Sequence, residues 1–186
     1  MEVICIFELF DTNGKLFAAQ FEGEEEDEAG HPQHAFSKLT AEWSDPSWFR
    51  AFFSKFKQDY FNFYGSSNIN RLVLEAIDFA DNLFEDLTKY SKSDELDKIF
   101  KPLNNSDKDQ TYERQSLKAK GSEVKSYLRI YAVRYGDEFV ITGGTVKLTH
   151  WMKDRDHTRL EKHKLDTVVK FLSRNGIEGK IVYLDK

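Results

Sequence analysis

Residues 126–152 read SYLRIYAVRYGDEFVITGGTVKLTHWM. Two runs rich in β-branched, aromatic and aliphatic residues flank Tyr135-Gly136-Asp137-Glu138, a turn-forming quartet, so an antiparallel hairpin is predicted over 126–149. Side chains alternate along a strand. Leu128, Ile130 and Ala132 therefore share a core face, and Tyr127, Arg129, Tyr131, Val133 and Tyr135 share the other. On the second strand Thr145, Lys147 and Thr149 oppose Val146 and Leu148. Gly143-Gly144 marks either a bulge that re-aims Lys147, a close backbone approach, or a local kink. A hairpin made for a core thus carries Arg129, Arg134 and Lys147.

The rest of the chain supplies that core. It has 186 residues, 40% hydrophobic and 15% aromatic, which suits one folded domain over 1–186. Two apolar runs, 3–10 and 15–21, surround Asn13-Gly14, a strong hairpin signal. EGEEEDEAGHPQH reads as an exposed acidic loop. Helical spacing begins in the FSKLTAEW stretch, and Ser44 or Asp45 with Pro46 opens a second stretch. There Trp48, Phe49, Phe52, Phe53 and Phe56 form a stripe best explained as core. A helix over about Ile69–Tyr90 carries Leu72, Ala76, Phe79, Ala80, Leu83 and Leu87. SDELDKIFKPL reads as a short helix stopped by Pro102, and NNSDKDQTYERQ as a polar linker. A helix over about Asp154–Arg174 follows the hairpin, then an Asn175-Gly176 cap signal and a short strand, KIVYLD. The fold class is α+β: an N-terminal β-hairpin, a helical middle, an antiparallel hairpin and a C-terminal helix in one mixed domain.

Several function classes score poorly. No apolar run approaches the ~18 residues of a membrane span, so no membrane partner is expected. MEVICIFELF lacks a basic leader and reads as a strand. A lone cysteine, Cys5, rules out an intrachain disulfide and fits a reducing cytoplasm. GxxxxGK[ST], GxSxG and CxxC are all missing, and HPQH beside EEEDE reads as solvated surface rather than a metal site. No cofactor is expected.

Charge is the informative quantity. The net charge is −5, yet residues 1–110 hold 11 Lys+Arg against 22 Asp+Glu, and residues 111–186 hold 16 against 10. Such asymmetry points to a polyanion-binding segment joined to an acidic one, or to ordinary surface charge. Arginine between tyrosines is a nucleic-acid combination, guanidinium for phosphate and rings for bases. Arg134, Tyr127 and Tyr131 are therefore candidate substrate-binding residues. Lys118 and Lys120 lie on one side of the extended LKAKG, so with Arg129 and Lys147 they form a candidate cationic surface. The competing reading is separate solvated charges on an edge strand. The acidic residues Glu24–Glu28 either cover that basic face or only aid solubility.

The pattern LKAK, SYLRIYAVRYGDEFVITGGTVKLT and then a helix resembles the RelE/HigB family of toxin–antitoxin toxins. There a lysine-bearing strand precedes an arginine-bearing hairpin, and a basic residue follows the second strand. The whole chain also resembles a set of uncharacterised bacterial proteins sharing W.D...FF, F.PL, LRIYA and TGG..K. The first resemblance covers the basic portion, 111–186, and makes the helical residues 36–103 an insertion or extension. It implies a metal-independent endoribonuclease acting on mRNA at the ribosome, neutralised by a helix-turn-helix antitoxin. The 2′-hydroxyl attacks its own phosphate, and Lys and Arg stabilise the charge that develops. By position Lys118 and Lys120 match the first-strand lysines, Arg129 the hairpin arginine and Lys147 the basic residue after the second strand. His150 is a candidate acid or base, although a surface histidine is the commoner case, and Tyr183 is a weak match to a late tyrosine. The alternative is a non-enzymatic protein-binding module, or a ParE-like toxin that inhibits a protein target.

Overall fold

The computed structural model describes residues 1–10, 14–24, 26–31, 33–65, 68–103, 114–120, 126–149 and 152–175. Six strands form one mixed sheet in the order β1-β2-β6-β5-β4-β3. β1 (Val3–Glu8) and β2 (Leu16–Phe21) pair antiparallel. The predicted N-terminal hairpin is therefore present, although its turn residue Asn13 lies outside the described residues. β3 (Phe100–Pro102), β4 (Arg114–Ala119), β5 (Leu128–Tyr135) and β6 (Glu138–Val146) continue as an antiparallel meander. β2 closes onto β6 in parallel, pairing Leu16 with Phe139 through Ala18 with Ile141.

The helices follow their caps. α1 (Ala35–Trp43) is capped by His34, whose Nδ1 accepts from the Ser37 N–H at 3.1 Å. α2 (Pro46–Lys55) uses the predicted Asp45 and Pro46: an Asp45 oxygen accepts from the Ser47 N–H at 2.7 Å. α3 (Lys57–Tyr64) and α4 (Ile69–Lys92) follow, then one turn, α5 (Leu96–Ile99). The segment expected to be helical up to Pro102 instead leaves α5 as strand β3. Pro102 fits there because edge strands tolerate a missing donor. α6 (Asp156–Asn175) follows a 3-10 turn at Met152–Asp154. The expected cap Gly176 and the strand KIVYLD lie outside the described residues.

Burial departs from the alternation in one decisive way. Leu128, Ile130 and Ala132 point into the core built with α1, α2 and α4, as expected. Their opposite face is buried as well, with Tyr131, Val133 and Tyr135 packed under Leu165, Val168 and Leu172 of α6. Covered by helices on both sides, β5 has no solvent face along residues 130–135, and Arg129 at its start stays half-buried.

The turn is two residues long, and Gly136 takes φ +61°, the left-handed conformation such turns need. At the far end the hairpin register shifts between Tyr131 and Ala132, so the Gly143-Gly144 region does carry a bulge. Close approach holds too. Gly143 has φ +150°, and a Cβ there would run into the Glu161 carboxyl. A Cβ on Gly144 would lie 2.8 Å from the Arg129 carbonyl oxygen and from a Leu39 methyl. Gly144→Ala is therefore expected to destabilise the fold by about 1–3 kcal/mol, as overpacking does. A urea midpoint equal to wild type would contradict this account.

Candidate functional site

Lys118, Arg129 and Lys147 stand on three successive members of the meander. Lys118 pairs with Tyr131 in the β4–β5 ladder, and Arg129 pairs with Thr145 in the β5–β6 ladder. The Lys147 N–H donates to the Tyr127 carbonyl at 2.7 Å. Cross-strand partners share a face, so this ladder brings the cations together. Their fields overlap. Burial, then Arg129 and Lys120, push the Lys118 ammonium below its ordinary pKa. Burial, then Lys118 and Arg129, do the same to Lys147, against a smaller opposing pull from Asp154. Lys118 and Lys147 are half-buried, whereas Lys120 is exposed just past β4. The Arg129 guanidinium is held in place: Nη1 donates to the carbonyls of Ser126 at 2.8 Å and Leu128 at 2.6 Å. Lys118 Nζ donates to the Leu103 carbonyl at 2.9 Å. His150 and Tyr183 lie outside the described residues.

The remaining expected binding residues are corrected by burial. Tyr127 is 1% exposed, its hydroxyl donates to the Leu72 carbonyl at 3.2 Å, and Phe53, Tyr60 and Phe79 meet its ring edge-on. Tyr131 is also 1% exposed, under α6. Neither ring is open for a base to stack on. Arg134 is buried at the turn end of the sheet, its Nη2 2.5 Å from the Asp97 carboxylate and its guanidinium 5.0 Å above the Phe139 ring. It serves packing, because a buried guanidinium without such a partner is costly.

Spacing did not reveal a second feature, a cavity of about 330 Å³ where β2 and β6 part company. Their pairing ends at Ala18 and Ile141, and Gly143, Gly144 and Thr145 beyond it form the cavity floor. One wall is aromatic, with Trp48 and Phe52 stacked at 5.6 Å and Phe56 4.7 Å from Phe52. His157 stands edge-on to Phe52 and Phe56, and its Nε2 is 3.2 Å from the Val146 carbonyl. The aromatic stripe expected to be core is thus divided: Phe49 and Phe53 are fully buried, whereas Trp48, Phe52 and Phe56 line the cavity.

The polar end of the cavity holds Glu24, Lys38, Glu42, Glu161 and Lys164. Glu24 departs from the expected solvated acidic loop. Its carboxylate is 2.9 Å from Lys38 and 2.9 Å from Lys164. Burial raises its pKa, but these two lysines outweigh burial and hold it below the ordinary value. Lys164 is committed to Glu24 and reaches Glu161 only at 4.0 Å. The Glu161 side chain is 8% exposed, and its Oε2 has no hydrogen-bond partner among the described residues. Burial, only partly countered by Lys164, pushes its carboxyl up to about 8, so it is mostly protonated at neutral pH. Tyr131 links the two regions. Burial and Glu161 raise the pKa of its hydroxyl while Arg129 pulls the other way.

No group of His, Cys, Asp and Glu among the described residues is arranged to hold a metal ion. His31 instead pairs with Asp27 at 3.1 Å, and His34 caps α1. Among the described residues no helix is long and apolar enough to cross a membrane. No family model, curated protein or solved structure matches the chain.

Proposed function

We propose that the chain binds RNA through Lys118, Arg129 and Lys147 and cleaves it as a RelE/HigB-like, metal-independent endoribonuclease. The observation carrying this reading is the convergence of those cations from successive strands onto one sheet face. Like charges gathered at half-buried positions repel one another and cost stability, so an anionic ligand offsets that cost. The meander followed by α6 also has the order of elements that the resemblance implies.

The chemistry follows from the side chains. A ribose 2′-oxygen bonds to the adjacent phosphorus and the P–O5′ bond breaks, leaving a 2′,3′-cyclic phosphate and a free 5′-hydroxyl. Arg129, whose charge is permanent and whose position is fixed by two carbonyls, faces the phosphoryl oxygens as negative charge grows. Lys118 or Lys147, with its pKa lowered by burial and by its cationic neighbours, gives a proton to the departing 5′-oxygen more readily than an ordinary lysine. The other of these two lysines, whose neutral form the same lowering favours, takes the proton of the 2′-hydroxyl as that oxygen attacks.

The test is incubation of purified protein with free mRNA in excess EDTA and, separately, with mRNA on ribosomes in magnesium buffer, because EDTA dissociates ribosomes. Fragments ending in 2′,3′-cyclic phosphate are expected in one of the two settings. Cleavage of free mRNA that EDTA abolishes would reject the metal-independent reading. Salt-dependent RNA binding with no cleavage in either setting would leave a non-enzymatic binder.

A further inference from the structure

The cavity beside the cationic face combines a glycine-bearing floor, an aromatic wall and a buried acid. We infer that it is a nucleobase pocket, which receives one base of the RNA whose backbone lies on Lys118, Arg129 and Lys147. This inference rests on the RNA reading and extends it from phosphate contact to base contact.

Three observations carry it. The first is adjacency. Thr145 lines the cavity and is also the ladder partner of Arg129, while Lys147 stands two residues further along the same chain. A two-residue step spans roughly 7 Å, so a nucleotide with its phosphate at the cations has its base within reach of the cavity.

The second is shape. The volume falls in the range of roughly 300–1,000 Å³ typical of small-ligand sites. The cavity lies where the parallel pairing of β2 with β6 ends, past Ala18 and Ile141. Trp48, Phe52 and Phe56 offer the flat apolar surface that a heterocycle stacks on. Gly143 and Gly144 leave the floor without side chains. Two other cavities among the described residues, one at Asp59, Asp154 and Arg155 and one at Phe84–Lys92, are lined largely by polar residues and have no comparable wall.

The third is the Glu161 carboxyl. It lines the cavity, it is more than nine-tenths buried, and its Oε2 has no partner among the described residues. An unsatisfied buried polar atom is costly and rare in a folded protein, and a ligand that pairs with it removes the cost. A protonated carboxyl presents a donor beside an acceptor, which complements the N1/N6 edge of adenine or the N3/O4 edge of uracil. The groups facing Glu161 are Glu24, Glu42, Lys38, Lys164 and the Tyr131 hydroxyl, with Lys164 already engaged by Glu24.

Nucleosides provide the discriminating probe, because they carry a base but no phosphate. Adenosine and uridine should bind the full-length protein saturably, as followed by calorimetry. Glu161→Gln keeps a donor and an acceptor, so it should retain binding. Glu161→Met, of similar length but apolar, should weaken binding at least tenfold. Between pH 6.5 and pH 9 the wild type should lose affinity several-fold as the carboxyl ionises, whereas Glu161→Gln should stay flat. Salt-dependent binding of poly(U) should keep its log–log slope in both variants, since the phosphate contacts are untouched. Poly(U) binding with normal salt dependence but no nucleoside binding would overturn the pocket and leave the RNA reading standing. Nucleoside binding without salt-dependent RNA binding would overturn both the RNA reading and the pocket's place in it. Equal affinities for Glu161→Gln and Glu161→Met would remove Glu161 from the site.

Discussion

A protein carrying Lys118→Ala, Arg129→Ala and Lys147→Ala together is expected to lose RNA cleavage entirely and to bind RNA with a flatter salt dependence. The three side chains come from β4, β5 and the residue after β6, and burial plus mutual repulsion depresses the pKa of both lysines. A removed cation is a removed phosphate contact, worth roughly 0.7 in the log–log salt slope for a single strand. The triple variant should therefore flatten that slope by about 2. On catalysis the loss should be larger, because stabilising a single developing charge is commonly worth about 10²–10³ in rate. In cells, the wild type should slow growth and deplete intact message, and the triple variant should do neither. Arg134→Lys is the internal control. Arg134 is bound to Asp97 at the opposite end of the sheet, so its replacement should leave the slope unchanged. Wild type and triple variant with equal slopes and equal toxicity would show that the meander cations are structural charges.

The second large effect concerns the pH dependence of stability. Glu161 has a folded pKa of about 8 against an ordinary value of 4.5. The folded state therefore holds its proton more tightly than the unfolded chain does. Stability is then highest below the unfolded value, falls as pH rises above it, and levels off once the folded pKa has been passed. The accumulated penalty is on the order of 5 kcal/mol once the pH is above the folded pKa. Glu42, raised chiefly by burial, adds a contribution of the same sign. His34 and His157 are lowered chiefly by burial and act in the opposite direction, destabilising the fold only as pH drops through their range. Comparison with Glu161→Gln isolates the one group, because all the others are common to both proteins. Urea unfolding across pH 5–9 should show the variant gaining on the wild type steadily above pH 5. Parallel curves would mean that Glu161 finds water or a partner in solution. The residue proposed to meet a base is thus also an apparent weak point of the fold, which is the usual relation between a binding site and its scaffold.

Much of the architecture was legible in the chain itself. The hairpin turn at Gly136-Asp137, the Asp45–Pro46 helix start, the α4 stripe and the final long helix follow from local rules: turn chemistry, capping and a period of 3.6 or 2. The placing of Lys118, Arg129 and Lys147 on neighbouring strands was legible too, because strands joined in sequence tend to lie side by side.

What local rules left open was which faces are covered. Alternation assigns residues to two faces of β5, but it says nothing about whether the second face meets water. The docking of α6 on β5 buried Tyr131, residues of α2, α3 and α4 enclosed Tyr127, and Asp97 and Phe139 closed over Arg134. Tyrosine and arginine are poor guides here, because each has an apolar body and a polar tip and is at home either inside or outside. Glu161 lies in LEKHK, a polar stretch of an amphipathic helix, where it reads as solvated. Its burial depends on Gly143 lying opposite with no side chain, on Lys164 being claimed by Glu24 from a distant loop, and on α2 closing the cavity. Each of these contacts joins segments far apart in sequence. Periodicity carries no record of such meetings, and only the assembled tertiary structure decides them.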